Sequence, residues 1–393
     1  MNKVNFKDWI LSIQHVLAMT GATVLVPLLT GLSPSMALLG AGLGTLLFHW
    51  ITKKQVPVFL GSSFAFITPI CVIMEQFGMP FVQGGIIAVG LVYALVSFII
   101  AKIGTDKITK ILPPHVVGTM IVIIGMSLVP SAISNIQTHI SVAGITLLTS
   151  IAITFLGKGF VKQLGVLIGV VVGFLLSIWI GLADLSIIQQ ASFFTLPSFT
   201  LPQFSISAIM IIVPVSICTI MEHVGDITTN STIVGKDFIK EPGLHRTLLG
   251  DGLATALAGL IGAPPNTTYG ENTALLAITK NYNPKLLRRA AAIAIVLSFI
   301  GVFGATLQSI PAAVIGGISL QLYYMIAWSG VKNIIKDRSW EDFHKIYIIG
   351  LMLILGLGNF SITLGAVTIS GLALAAIVGI LLNLLVTKVR KSA

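Results

Sequence analysis

Apolar residues run through this sequence in blocks of about twenty, separated by short clusters of Lys, Arg, Gly and Pro rather than by polar domains. Blocks of that length match the hydrocarbon core of a bilayer and predict transmembrane helices. Fourteen spans can be marked: 9–30, 34–51, 58–75, 82–101, 114–131, 143–157, 162–182, 206–228, 244–262, 266–279, 286–305, 310–330, 344–358 and 365–387. The first, Trp9 to Leu29, is too long and too poorly flanked for a cleaved signal peptide, so it reads as the first helix. Hydrophobic residues make up 55% of the 393, charged residues 9%, and mean hydropathy is +1.00. The fold class expected is an all-α polytopic membrane protein, with no hydrophilic stretch long enough for a separate soluble domain.

Net charge is +10, from 23 Lys and Arg against 13 Asp and Glu. In a soluble chain that excess would suggest nucleic acid, but here its placement follows the membrane. Cytoplasmic loops carry the Lys and Arg of a membrane protein. The basic residues cluster at Lys3 and Lys7; Lys53 and Lys54; Lys102, Lys107 and Lys110; Lys158 and Lys162; and Lys236, Lys240 and Arg246. Further clusters are Lys280, Lys285, Arg288 and Arg289; Lys332, Lys336, Arg338 and Lys345; and Lys388, Arg390 and Lys391. With fourteen spans every cluster falls on the side of the termini, while the loops 132–142 and 183–205 hold no Lys or Arg. A multi-pass protein of the plasma (inner) membrane with both termini cytoplasmic is expected. Cys71 and Cys218 lie inside apolar blocks without metal-type spacing and read as packing residues.

The sequence also repeats itself. A shift of 208 positions lays Gln14-His15-Val16 on Glu222-His223-Val224 and carries Thr20 onto Thr228, Pro34 onto Pro242, Gly42 onto Gly250 and Pro57 onto Pro265. Proline and glycine set backbone shape, so geometry is what recurs. The units begin at spans one and eight, and an odd number of crossings between them inverts the second. A second shift, of 198, pairs Pro113, Val116 and Gly118 with Pro311, Val314 and Gly316. A seven-plus-seven inverted repeat is the arrangement of secondary transporters, whose site lies between the halves.

Two spans depart from helical chemistry. Span three opens Pro57-Val-Phe-Leu-Gly-Ser-Ser-Phe-Ala-Phe66, and span ten opens Pro264-Pro-Asn-Thr-Thr-Tyr-Gly-Glu-Asn272. Small, hydroxylated and β-favouring residues nucleate helices poorly, and a proline disfavours helix before it. A short extended segment followed by a half-helix, Ile67 to Met74 and Thr273 to Ile278, is expected in each. Irregular backbone at membrane depth survives where it lines a cavity, and half-helix N-termini there offer N–H groups to a ligand.

Most acidic residues lie near the expected interfaces; Glu222 and Glu271 lie deep, with Asp226 close behind. An acidic side chain near a helix centre costs on the order of 3 kcal/mol, which makes it a functional candidate. Glu222 and Asp226, four residues apart, face one side of span eight together with Cys218. Carboxyls at that depth are candidate proton carriers. Asp226 has a plainer alternative, pairing with Thr228 or Thr229, and His15 and His223 read as structural hydrogen-bonding groups, with Asp251 no stronger a candidate. There is no zinc-protease histidine pair and no nucleotide-binding loop of the Walker type, so the chain reads as a secondary transporter and not an enzyme or ATP-driven pump.

Gln14-His-Val-Leu-Ala-Met-Thr-Gly-Ala-Thr-Val-Leu-Val-Pro27, Gly61-Ser-Ser-Phe-Ala-Phe66, Glu222-His-Val-Gly225, Pro242-Gly-Leu-His-Arg246 and Pro265-Asn-Thr-Thr-Tyr-Gly-Glu-Asn272 resemble the nucleobase–ascorbate transporters, and among them the bacterial uracil–proton symporters. The resemblance covers nearly the whole chain. It implies a core domain of spans 1–4 (residues 1–112) and 8–11 (204–308), and a gate domain of spans 5–7 (113–203) and 12–14 (309–393). It further implies a homodimer in the lipid bilayer, elevator-like movement of the core, uracil as substrate, no cofactor beyond the proton as coupling ion, and no nucleic-acid partner. By motif position Glu222 would accept hydrogen bonds from pyrimidine N–H groups, Phe64, Tyr269, Gly270 and Glu271 would complete the pocket, and Tyr323 would line its gate side. Glu271, with Glu222 and Asp226, would couple the proton. Uracil symporters of this kind tend to carry His where this chain has Asp226. Xanthine and urate members more often have Asp there but tend to carry Gln in place of Glu271. The mixture favours uracil and leaves a purine or another pyrimidine open.

Two other functions stay open at this point. An anion transporter of the related sulfate–bicarbonate type calls for a cation near the half-helix ends, and no Lys or Arg falls deep inside a span: Lys162, Arg246, Arg288, Arg289 and Lys345 sit within a few residues of an end. A channel would pass current without alternating access, which a conductance trace would reveal.

Overall fold

The computed structural model describes residues 6–104, 112–196, 199–358, 360–364 and 367–392; Lys3, Lys107 and Lys110 lie outside them. Two long helices open the chain, α1 (Phe6–Thr30) and α2 (Pro34–Ile51). Ser33 caps α2 by accepting from the Met36 N–H at 3.4 Å, and Pro34 takes the first helical position, where its missing N–H costs nothing. The chain then runs extended as β1 (Leu60–Ser62), makes one 3-10 turn over Phe64–Phe66, and continues as α3 (Ile67–Gln76) and α4 (Met79–Ile103). Among the described residues five helices follow: α5 (Pro114–Ser127), α6 (Val129–Gln137), α7 (Ile140–Leu156), α8 (Gly165–Trp179) and the short α9 (Ser186–Gln190).

The later part begins with α10 (Ile206–Ile212) and α11 (Ser216–Val234), separated by a tight turn at Pro214, then α12 (Leu244–Ile261). The strand β2 (Asn266–Thr268) leads into α13 (Gly270–Thr279), α14 (Pro284–Ser298) and α15 (Gly301–Gln308). The chain ends with α16 (Ala312–Lys336), α17 (Phe343–Leu357), the strands β3 (Ser361–Leu364) and β4 (Val367–Ser370), and α18 (Gly371–Ser392). Among the described residues seven helical stretches are long and apolar enough to cross a bilayer, and four shorter apolar helices accompany them. This is a multi-pass membrane protein.

Packing falls into two groups. In one, α12 lies against α4 and α2, and α14 against α2 and α1; in the other, α16 lies against α5, α6 and α7, and α17 against α18 and α5. Small residues permit these approaches, as expected where lipid supplies no hydrophobic drive between helices. Gly118 of α5 meets Gly330 of α16 so closely that a Cβ on Gly118 would stand 2.7 Å from the Gly330 carbonyl oxygen. Backbone cannot yield as a side chain can. Gly118→Ala is therefore expected to destabilise the α5–α16 contact by about 1–3 kcal/mol, seen as a lower thermal midpoint in detergent; an unchanged midpoint would show that the helices part without cost.

At the far end of this group Asp342 caps α17 by accepting from the His344 N–H at 3.0 Å and binds Arg390 of α18 at 2.7 and 2.8 Å. The Arg390 hydrogen bonds hold the partly exposed Asp342 carboxyl below the usual carboxylate range.

Several expected spans are not continuous helices; besides the turn at Pro214 within 206–228, two stand out. Span 286–305 is interrupted at Phe299 and Ile300, where Phe299 O accepts from Thr195 N at 3.0 Å and Gly301 N donates to Phe193 O at 2.9 Å. Phe194 stacks on Phe299, so the 183–205 loop is fastened across this break. Span 365–387 begins as helix only at Gly371, after the β3–β4 hairpin, in which Ser361 pairs with Ser370 and Leu364 with Val367. Its Thr- and Ile-rich alternation favours strand, which an average of hydropathy does not register.

Candidate functional site

The site is built on a crossing of two broken segments. Strands β1 and β2 pair antiparallel, with Leu60 facing Thr268, Gly61 facing Thr267 and Ser62 facing Asn266. Ser63 N donates to Pro265 O at 2.8 Å and Tyr269 N to Phe59 O at 3.0 Å, which prolongs the ladder on both sides. Short strands at this depth need every polar group satisfied. Neighbouring helices supply partners: Thr45 Oγ1 of α2 accepts from Leu60 N at 2.9 Å, His49 Nε2 meets Val58 O at 2.9 Å, and Thr255 Oγ1 of α12 donates to Asn266 O at 3.1 Å. Asn266 Nδ2 donates to Gly40 O and Ala254 O at 3.2 and 3.1 Å. Tyr269 OH donates to Ser62 O at 3.1 Å, and the ring lies where a side chain at position 61 would otherwise be, so Gly61 is required by the crossing.

From this crossing α13 departs at Gly270, three residues before the sequence suggested, which places Glu271 in its first turn. The first N–H groups of a helix have no acceptor within it, and its dipole favours negative charge there. A cavity of about 460 Å³ opens beside that turn. Phe64, Glu222, Asp226, Tyr269, Gly270 and Glu271 all line it. It continues past Ile233 and Ile278 to Lys332 and Lys336, near the C-terminal ends of α11, α13 and α16.

Of the site residues named from sequence, the structure brings together Phe64, Glu222, Asp226, Tyr269, Gly270 and Glu271. Tyr323 stands apart. It is fully buried on α16, its ring edge-on to Phe64 with centroids 6.2 Å apart, and the cavity instead meets Met325, Ile326 and Ser329 of that helix. Asp226 does pair with a hydroxyl, as its plainer reading expected, but not with Thr228 or Thr229. Thr228 and Thr229 bond back to Val224 O and Gly225 O, and the partner of Asp226 is Thr268 of β2, whose Oγ1 donates to Oδ2 at 2.6 Å. His223 lies behind the site, 2.9 Å from Asp251 of α12, and His15 of α1 meets Asn272 at 3.2 Å. Sequence reasoning passed over Thr268. Its one signal was that the shift of 208 carries Leu60 onto it, and these two residues face each other in the ladder.

Comparison with known proteins decides the family. A profile of the xanthine–uracil permeases, described as a permease family, matches residues 6–365. The chain belongs to that family, the nucleobase–ascorbate transporters. It is 43% identical to the uracil permease of Bacillus caldolyticus, over 96% of this chain and 92% of the relative. It is 40% identical to a probable uracil permease of Haemophilus influenzae, over 99% and 96%. A putative pyrimidine permease of Escherichia coli, RutG, is 35% identical over 96% and 89%.

Among solved structures, the transmembrane domain of a cyanobacterial bicarbonate transporter, BicA, superposes with a TM-score of 0.67 at 14% identity, covering 98% of each chain. The murine anion transporter Slc26a9, in its inward-facing state, superposes with a TM-score of 0.75 at 11% identity, covering 99% of this chain and 69% of its own. Those two establish a shared fold. This family member is a transporter and not an enzyme.

Proposed function

We propose that this transporter carries uracil into the cell together with protons, by alternating access of an elevator type. The observation that carries the reading is the convergence of Glu222, Asp226 and Glu271 with the first turn of α13 on one cavity. Uracil presents N–H donors flanked by carbonyl acceptors. A carboxylate at Glu222 and backbone N–H groups at Gly270 and Glu271 match that alternation. Phe64 supplies a ring for the flat base, and Tyr269 braces the crossing through Ser62. The names of the relatives, uracil permeases over nearly the whole chain, point the same way.

Fourteen crossings in a seven-plus-seven inverted repeat give the frame. The core domain comprises α1–α4 and α10–α15, the gate domain α5–α9 and α16–α18, with both termini cytoplasmic in the plasma membrane and the protein acting as a homodimer. A twofold axis relating the halves would bring repeat-equivalent residues face to face at one point of the crossing, as at Leu60 and Thr268. On this orientation the cavity, ending at Lys332 and Lys336, opens to the cytoplasm, while Phe64 against Tyr323 closes the outer side. Glu271 exchanges the coupling proton, with Glu222 and Asp226 sharing its field.

Asp226 favours a second reading, a xanthine or purine symporter, since the cavity has room for a bicyclic base. Equilibrium binding of labelled uracil to the purified transporter separates the two. Unlabelled uracil should displace the label and excess xanthine should not; displacement by xanthine would assign a purine site.

A further inference from the structure

Three polar residues descend one side of α11 at four-residue intervals: Glu222, Asp226 and Asn230. Spaced in this way they lie along one broad helical face. The first two line the cavity. Asn230 does not, and its side chain is fully buried. Its Nδ2 donates to Pro57 O at 3.0 Å and to Thr273 Oγ1 at 3.3 Å. The Pro57 carbonyl can only accept, which fixes the orientation of the amide. Thr273 Oγ1 donates in turn to Tyr269 O at 3.3 Å, in the first turn of α13. One amide thus grips the start of the segment leading into β1 and the start of α13 at once.

We propose that Asn230 is a positioning residue for nucleobase recognition, tying both broken segments to the helix that carries Glu222. This rests on the uracil reading above. Its effect runs through Pro57 and Thr273 and not through contact with the base. Recognition by a carboxylate on α11 and N–H groups on α13 needs the two helices held at a fixed separation, and misplacement on the scale of an ångström weakens such hydrogen bonds. This row of polar residues on α11 belongs to one half of the chain: the shift of 208 places Ala18 opposite Asp226 and Ala22 opposite Asn230. The strut is therefore not a general requirement of the repeat.

The test is uracil uptake kinetics in membranes with transporter abundance measured alongside. Asn230→Ala is expected to raise KM about tenfold, equivalent to 1.4 kcal/mol, with Vmax per molecule changed less than about twofold. Thr273→Val should do much the same, and the double variant should be no worse than the more affected single one. Loss of Vmax or abundance with KM unchanged would overturn the proposal, since a merely structural role predicts that pattern.

Should Asn230→Ala not accumulate, Asn230→Asp keeps the shape and can accept from Thr273 but cannot donate to Pro57 as a carboxylate. The same rise in KM is expected, and a wild-type KM would overturn the strut. A wild-type chain that ignores uracil would instead sink the functional reading, and the comparison is then made with xanthine on the same variants.

Discussion

Glu222→Ala is expected to abolish uracil binding and uptake. The carboxylate lines the cavity from α11, opposite the first turn of α13. A ring N–H that donates to this carboxylate makes a hydrogen bond to a charged group, which contributes about 1.5–3 kcal/mol. Losing it weakens binding by a factor of about ten to a few hundred before the cost of the unpaired N–H is added. Alanine also leaves an apolar wall where the base's N–H groups must shed water, so nothing compensates. The check is equilibrium binding of labelled uracil, with thermal unfolding of the variant to show that it is folded. Binding at wild-type strength by a folded Glu222→Ala protein would remove this residue from the site.

Glu271→Gln separates binding from coupling. Glutamine preserves length and hydrogen-bonding capacity, and the backbone N–H groups of the first turn of α13 are untouched. Binding should therefore weaken by no more than about tenfold, the scale of one neutral hydrogen bond. Glutamine does not take up or release a proton, so accumulation against a gradient should be lost while exchange of labelled for unlabelled uracil continues. Uptake driven by the proton gradient at wild-type levels would move the coupling role from Glu271 to Glu222 or Asp226.

The parts of this molecule legible in its sequence are those with local causes. Pro57 and the pair Pro264-Pro265 announce interruptions of two apolar blocks, and strands lie just beyond both. Glu222 and Glu271 stand out because ionised groups are rare at that depth. What was hidden depends on residues far away in sequence. The partner of Asp226 is 42 positions off, and Asn230 meets Pro57 across 173, so both polar residues look unremarkable among the hydroxyls of α11. The break before α15 is invisible because backbone groups of Phe193 and Thr195, in a distant loop, take up the bonds freed there. The β3–β4 hairpin was lost because its alternating residues are apolar enough to read as one more membrane helix.

Tyr323 illustrates a different limit. A motif position puts it beside the substrate, but what a side chain lines depends on which face of the site is open. With the cavity running to Lys332 and Lys336, Tyr323 is packed away behind Phe64. Tyr323→Ala removes this edge-on contact and is expected to raise the reactivity of a cysteine placed at position 270, which lines the cavity and has open space beside it, toward an impermeant thiol reagent added outside, in a background without Cys71 and Cys218. Unchanged reactivity would place the outer closure elsewhere.

Uptake of labelled uracil into proteoliposomes under an imposed inward proton gradient tests the central claim most directly. Uracil should accumulate above its external concentration, a protonophore that collapses the gradient should stop accumulation, and excess xanthine should not compete. Equilibration without accumulation, or uptake indifferent to the protonophore, would contradict proton-coupled uracil transport.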